Sequence, residues 1–386
     1  ILAQGLGSLH SFQHEDWKKN PVSGERRVGL VIKVTDRSAQ VKLGTYRGSL
    51  TRANLVWTGR QSPNKLLKIG DLALFRITEV DPQSKIVSIE LTQKPEVQGA
   101  IVVLDNASGE IKAMVGGYDF TESQFNRCTQ AYRQTGSAFK SFVYTLALEE
   151  GMTAGDVIED APISFPNLRG TWAPRNYDGK FEGVVSLSRA FAQSRNVPAV
   201  RLADHFGIER VIETARRFGI TSPNLSGYLP VALGAAEVTL LEMTSAYSVY
   251  GNDGVRVTPR YLKRVTDYEG ATKEETLVEV SDVLSSKTAR AMLALLQSVV
   301  HEGTARRAQA LNRPVAGKTG TTNNYTDAWF IGLTPTLTCG VWVGFDKNRS
   351  LGRGETGSKA ALPIWIDFIR RATQKKVSDQ FPSPIN

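Results

Sequence analysis

Gln134-Thr-Gly-Ser-Ala-Phe-Lys140 reads as a polar break followed by the opening of a helix. Positions i and i+3 of a helix share a face, so the Lys140 amine can reach the Ser137 hydroxyl. Ser137 falls in the first turn, where N–H groups without intrahelical partners and the helix dipole favour developing negative charge. A serine hydroxyl is a weak nucleophile until a base takes its proton. A lysine serves as that base once burial or a nearby cation lowers its pKa.

Two later stretches fit the same chemistry. Ser194-Arg-Asn196 offers a hydroxyl to relay a proton and an amide to hold a substrate carbonyl. Lys318-Thr-Gly320 follows a short apolar strand and precedes Thr321 and Thr322. A strand edge there can pair with an extended peptide, and Gly320 lets a substrate backbone approach. Lys318, Thr319 and Thr321 can hold a carboxylate. Each pattern is weak alone: Ser62-Pro-Asn-Lys65 repeats the first, and Ser62-Pro-Asn64 and Ser222-Pro-Asn224 repeat the second. Their order, with starts 57 and 124 residues apart, is what carries weight, since each falls where its element should be: helix start, inter-helix loop, strand. A closely similar triplet marks serine acyl-transfer enzymes.

Outward from these motifs, residues 96–376 read as an α+β domain. Gly99–Asp105 and Ile111–Val115 are strands joined by the turn Asn106–Gly109. A mostly helical stretch runs from about Phe139 to Val300. Strands return at Val315–Thr319, Asp327–Leu333 and Thr338–Val343, and Ala361–Thr373 closes the domain as an amphipathic helix. Strands at both ends with helices between imply a mostly antiparallel sheet assembled from distant pieces. Residues 377–386 are a tail.

Residues 24–95 read as all-β. Val28, Leu30, Ile32 and Val34 alternate with period two, and four more short strands follow, with turns at Gly44, Gly70 and Asp81-Pro82. Five strands in about 70 residues fit a small barrel of the OB type. This segment holds 13 Lys/Arg against 6 Asp/Glu, so it carries +7 of the chain's formal +9. Such a charge attracts nucleic acid, an anionic surface or an acidic polymer, or is simply a solvated basic face. Residues 1–23 read as a short helix or strand plus a linker. Cys128 and Cys339 fit no metal spacing, and neither a metal nor a cofactor is expected. No apolar run is long enough to span a bilayer, and the start at Ile1, without Met or signal segment, reads as a piece of something longer.

At these residues the chain resembles the class A penicillin-binding proteins, within them the 1A branch. Phe125-Asn-Arg127, Gln130–Gln134, Trp172-Ala-Pro-Arg-Asn-Tyr177, Gln193–Val200, Gly234–Val238, Gly317–Thr322 and Asp327–Gly332 extend the likeness from about Val97 to Thr373. Residues 24–95 resemble the OB-like insert of that branch. Thr135 and Ser141 depart from the family pattern, a proline being usual at 135, which bears only on how the chain enters the helix.

The resemblance implies a D,D-transpeptidase acting on peptidoglycan stem peptides ending in D-Ala-D-Ala and trapped by β-lactams. It implies Ser137 as nucleophile, Lys140 as base, Ser194 as proton relay and Asn196 as orienter of the donor. Lys318 would set the electrostatics, Thr319, Gly320 and Thr321 would bind the substrate, and the N–H groups of Ser137 and Thr321 would form the oxyanion hole. It also implies a membrane helix N-terminal to this sequence, a location on the periplasmic side of the bacterial inner membrane, and a glycosyltransferase domain not visible here, so no glycan polymerisation is expected. A D,D-carboxypeptidase uses the same serine chemistry and stays open as an alternative. A β-lactamase of the class A type needs a glutamate with asparagine four residues on, and none lies between Lys140 and Ser194. Nucleic acid is not an expected partner, because Tyr46, Trp57 and Phe75 are the only large aromatics in the β segment suited to stacking and core packing is the expected role of each. A regulatory protein or the wall itself is the expected contact of that segment.

Overall fold

The computed structural model describes residues 9, 11–167, 170–374, 379–383 and 385; residues 1–8 and 10 of the linker segment and residues 377, 378, 384 and 386 of the tail fall outside that set. The chain divides into two compact units, Ile1–Glu96 and Val97–Asn386.

In the first unit five strands close into a barrel: Arg26–Val34, Ser38–Leu43, Tyr46–Thr51, Leu72–Asp81 and Ile86–Thr92. All neighbours pair antiparallel except Tyr46–Thr51 with Ile86–Thr92, which run parallel. Closure leaves no edge to be blunted. The core holds Val31, Val41, Leu50, Phe75, Ile77 and Ile89. The first strand is where the alternation places it, but its inward row is the one containing Gly29 and Val31. A Cβ on Gly29 would lie 2.7 Å from the Phe75 ring, so only glycine lets the strands close there. Tyr46 and Phe75 are buried as expected; Trp57 is not a core residue but 54% exposed, its indole donating to the Leu91 carbonyl at 2.9 Å. Residues 11–23 pack on this barrel through Trp17, whose indole donates to the Val28 carbonyl at 2.7 Å, and through the Arg27 guanidinium, which donates to the Asp16 and Asn20 carbonyls.

The second unit is built on a five-stranded antiparallel sheet in the order Ala316–Thr321, Asp327–Leu333, Leu337–Gly344, Gln98–Asp105, Ile111–Val115. Its strands come from the two ends of the domain, as the sequence implies. Seven helices occur among the described residues: α1 (Lys140–Glu149), α2 (Leu187–Ala192), α3 (Asn196–Phe206), α4 (Ile208–Arg217), α5 (Leu240–Gly251), α6 (Ser286–His301) and α7 (Leu362–Thr373). Helix α1 is mostly apolar, and its residues Lys140 to Ala147 are all buried; that pattern marks a helix enclosed in a core rather than lying on a surface. It packs against α3, α4 and α6. The segment from 139 to 300 is less helical than its composition implies. Val157–Asp160 pairs with Gly183–Ser186, Val255–Val257 with Val280–Asp282, and Arg264–Thr266 with Thr272–Glu275. No helix among the described residues is long and apolar enough to cross a membrane.

Candidate active site

The entry to α1 is a 3₁₀ turn, Gly136–Phe139, preceded by Thr135 at φ −81°. Gly136 has φ +52°, and a Cβ there would sit 2.6 Å from the Thr321 carbonyl carbon and 2.8 Å from its nitrogen. Gly320 is equally constrained: a Cβ would fall on the Thr135 carbonyl and 3.3 Å from Ala138. Two glycines thus let the turn carrying Ser137 lie directly on the edge strand carrying Lys318-Thr-Gly320. Ser137 itself is half-buried. Behind it the Tyr247 hydroxyl donates to the Ala138 carbonyl at 2.6 Å and takes a bond from Ser141 at 2.7 Å, which pins the turn.

Ser194 lies between α2 and α3. Its N–H bonds the Phe191 carbonyl at 3.0 Å and the Arg195 N–H bonds the Ala190 carbonyl at 2.9 Å. That pair is the Schellman ending of a helix, with Ser194 in the left-handed slot, φ +57°, where glycine is usual. A serine there costs roughly 1–2 kcal/mol, a cost that only its hydroxyl justifies. The Lys318 ammonium donates to Ser194 Oγ at 2.8 Å. Lys140 Nζ stands 3.4 Å from the same oxygen, 2.7 Å from the Ser194 carbonyl and 2.6 Å from Asn196 Oδ1. The Asn196 amide nitrogen donates to the Arg175 carbonyl at 2.8 Å, leaving its second hydrogen for a ligand.

Both lysines are fully buried. Burial, and then the positive charges of Lys318 and Arg195, hold the Lys140 amine well below the usual lysine range, while Asp160 pulls the other way. Burial alone brings Lys318 down to about 7. Buried lysines of this kind accept protons near neutral pH. On the strand, Thr319 Oγ1 shares a hydrogen bond with Thr304 at 2.7 Å. Thr321 Oγ1 accepts from the Gly357 N–H at 2.9 Å, so its own proton is left to donate outward. The Tyr177 and Tyr325 hydroxyls meet at 2.9 Å.

The structure therefore brings together Ser137, Lys140, Ser194, Asn196, Lys318, Thr319, Gly320 and Thr321. The repeats of the motifs lie elsewhere. Ser62 precedes a 3₁₀ turn in the barrel unit, and Ser222 Oγ bonds the Glu237 carbonyl. Among the described residues no group of three or more His, Cys, Asp or Glu side chains is placed to hold a metal. Sequence reasoning missed Thr304 and Gly357, which orient the threonine hydroxyls, and the buried set Asp160, Asn176 and Arg195. The Trp172–Tyr177 stretch was the one signal for Asn176; nothing in Val157–Asp160 marks its aspartate.

A family profile described as the penicillin binding protein transpeptidase domain matches residues 99–365, and one described as the S1 RNA binding domain matches residues 20–91. Penicillin-binding protein 1A of Aquifex aeolicus is 44% identical over 292 residues, covering 75% of this chain and 40% of that protein. Penicillin-binding protein 1A of Neisseria meningitidis is 39% identical over 342 residues, covering 86% and 43%. The chain thus spans less than half the length of these relatives. The crystal structure of penicillin-binding protein 1A from Haemophilus influenzae superposes with a TM-score of 0.86 at 28% identity, covering 98% of this chain and 62% of that one. PonA1 of Mycobacterium tuberculosis, solved in complex with penicillin V, gives 0.68 at 26% identity over 76% and 82%.

Proposed function

This chain belongs to the penicillin-binding protein transpeptidase family, and from that membership we propose that it is a D,D-transpeptidase forming an acyl-enzyme on Ser137 with stem peptides that end in D-Ala-D-Ala. One observation carries the reading: the Ser194 hydroxyl sits between two buried lysines contributed by the other two motifs, 2.8 Å from Lys318 and 3.4 Å from Lys140.

The neutral Lys140 amine takes the Ser137 proton as Oγ attacks the carbonyl carbon of the penultimate D-Ala. The oxyanion develops toward the backbone N–H groups of Ser137 and Thr321, on the two elements that Gly136 and Gly320 allow to touch. The terminal carboxylate is held by Thr319, Thr321 and the Lys318 side. Ser194 passes the proton from Lys140 to the departing nitrogen, the C–N bond breaks, and D-Ala leaves as the free amine. The amine of a second stem peptide then attacks the ester, forms the cross-link and returns Ser137 to its hydroxyl form. A β-lactam follows the first half of this course, but its opened ring stays tethered, so the ester persists. Asn196 orients the donor with its remaining amide hydrogen. Water in place of the second peptide would make the same site a D,D-carboxypeptidase.

The barrel is assigned to docking a regulatory protein or the wall rather than to reading RNA, since two of its three candidate stacking aromatics are spent in its core. Reversal of several of its lysines and arginines without loss of localisation or activation would remove that assignment. We place the site on the periplasmic side of the inner membrane, as a role in cross-linking wall peptides requires.

Intact-protein mass spectrometry after incubation with a β-lactam, followed by digestion, tests the core of the proposal. One adduct per chain on the peptide bearing Ser137 is expected, with loss of labelling in Ser137→Ala. Full labelling of that variant, or steady turnover of nitrocefin, would refute it. Release of D-Ala without any cross-linked dimer would replace transpeptidation by the carboxypeptidase.

A further inference from the structure

Helix α3 begins at Asn196, yet its N-cap residue, Arg195, makes no side-chain capping bond. The first N–H groups of a helix need partners from outside it. Here the partner comes from 20 residues upstream. Asn176 Oδ1 accepts from the Asn196 N–H at 2.7 Å and the Val197 N–H at 3.3 Å. Its amide nitrogen donates to Asp160 Oδ1 at 2.7 Å and to the Lys180 carbonyl at 2.8 Å. Asn176 is 4% exposed, and all of its hydrogen-bonding capacity is used. Asp160, 0% exposed, also accepts from Arg195 Nε at 2.8 Å and from the Glu182 N–H at 3.1 Å. Arg195, the middle residue of Ser194-Arg-Asn196, is anchored in addition by Asp178 at 2.9 Å and the Lys180 carbonyl at 2.7 Å.

Resting on the reading above, we propose that Asn176 and the Asp160–Arg195 ion pair are positioning residues of the transfer site: they fix Ser194 and Asn196 against Lys140, and they set the charge that surrounds its amine. Two facts make such a device necessary. Ser194 occupies a backbone conformation that a serine does not hold unaided. Lys140 directs its three described hydrogen bonds to the Ser194–Asn196 segment, so any drift of that segment moves the base. The charged groups that act on Lys140 come from three elements: Lys318 from the sheet edge, Arg195 from the α2–α3 turn, and Asp160 from the strand Val157–Asp160. The two cations disfavour its protonated form and Asp160 favours it. A strut with no electrostatic part would slow the reaction without moving its pH dependence. This set makes the stronger demand that opposite substitutions move it in opposite directions.

The test is the pH profile of acylation by a fluorescent penicillin, with thermal unfolding measured alongside. Asp160→Asn removes the anion that favours the protonated amine and should carry the rising limb to lower pH; Arg195→Met should carry it to higher pH. Removing one partner of a buried pair is strongly destabilising, whereas removing both charges together is far better tolerated. Where Arg195→Met fails to fold, Asp160→Asn/Arg195→Met is compared with Asp160→Asn, and its limb should lie at the higher pH of the two. Asn176→Ala should keep the midpoint and slow acylation roughly 10- to 100-fold, the scale of an ångström's misplacement. Folded charge variants at Asp160 and Arg195 whose limbs coincide with that of the parent, or shift all one way, or an Asn176→Ala that labels at the parental rate, overturn the proposal. If the parent itself acquires no β-lactam on Ser137, the proposed function fails instead; a labelled parent with indifferent variants fails this inference alone.

Discussion

Replacing Gly136 by alanine should separate the reactive turn from the strand that completes its site. The added methyl would stand 2.6 Å from the Thr321 carbonyl carbon and 2.8 Å from its nitrogen, where ordinary contact begins at 3.4 Å. These obstacles, with the Thr321 carbonyl oxygen nearer still, are all backbone, so no side chain can swing aside, and the strand or the turn must retreat by about 1 Å. The left-handed φ of +52° costs a non-glycine residue about 1–2 kcal/mol, and overpacking adds about 1–3 kcal/mol. At roughly 2–4 °C per kcal/mol for a domain of this size, Tm should fall by about 4–20 °C. An ångström-scale misplacement of nucleophile against oxyanion donors costs about 100-fold in rate, or about 2.7 kcal/mol of barrier. Stopped-flow labelling with fluorescent penicillin, well below the new Tm, reads that loss. The comparison variant is Gly151→Ala at the far end of the same helix. Gly151 also has positive φ, +93°, but nothing lies within 4 Å of its added methyl. Gly151→Ala should lose about 1 kcal/mol and label normally. Wild-type labelling by Gly136→Ala, or an equal loss in Gly151→Ala, would refute the packing argument.

Acylation should rise with pH along a limb far below 10.5, because only the neutral Lys140 amine can take the serine proton and its surroundings favour that form; a limb centred near 10.5 would remove Lys140 as base. Lys318→Met should raise Tm while abolishing most labelling. Burial brings Lys318 down to about 7 from the ordinary lysine value of about 10.5, so the native protein gains stability as pH rises across that interval and lacks it below. The advantage of Lys318→Met should therefore be largest at pH 7 and below and shrink toward pH 10.5, which unfolding at pH 6, 8 and 10 will check. Thr135→Pro should stabilise by about 1–2 kcal/mol: Thr135 already has a proline-compatible φ of −81°, and its buried hydroxyl finds no hydrogen-bond partner among the described residues. A lower Tm would show that the Thr135 N–H or its neighbour resists the ring.

The elements that carry the candidate site were legible where they obey local rules. Ser137 and Lys140 are tied by helical spacing, Ser194 and Asn196 by a helix junction, and Lys318 to Thr321 by strand alternation, so each motif announces its own element. The sheet was legible because apolar strands bracket the domain. The supporting set was not. Asp160, Asn176 and Arg195 meet across gaps of 16 to 35 residues, with no period and no composition bias to reveal them, and only the folded chain makes them neighbours. The hairpins within the supposed helical stretch failed for another reason: strands of three or four residues are too short for period two to register. In the barrel, Gly29 was the overlooked clue, since a glycine inside a strand pattern signals close backbone approach, and it identifies the interior row that Val28, Leu30, Ile32 and Val34 alone do not.

Helix α1, which follows the turn bearing Ser137, is enclosed from Lys140 to Ala147, and under the proposed function this limits how such a protein can evolve under antibiotic pressure. Any change of volume between Lys140 and Ala147 disturbs the interior that holds the whole unit together, so the nucleophile cannot be nudged away from a drug by mutating its own support. If the proposed function holds, variation that lowers drug capture is expected instead at exposed positions such as Tyr177, where side chains reach solvent and substitutions are cheap.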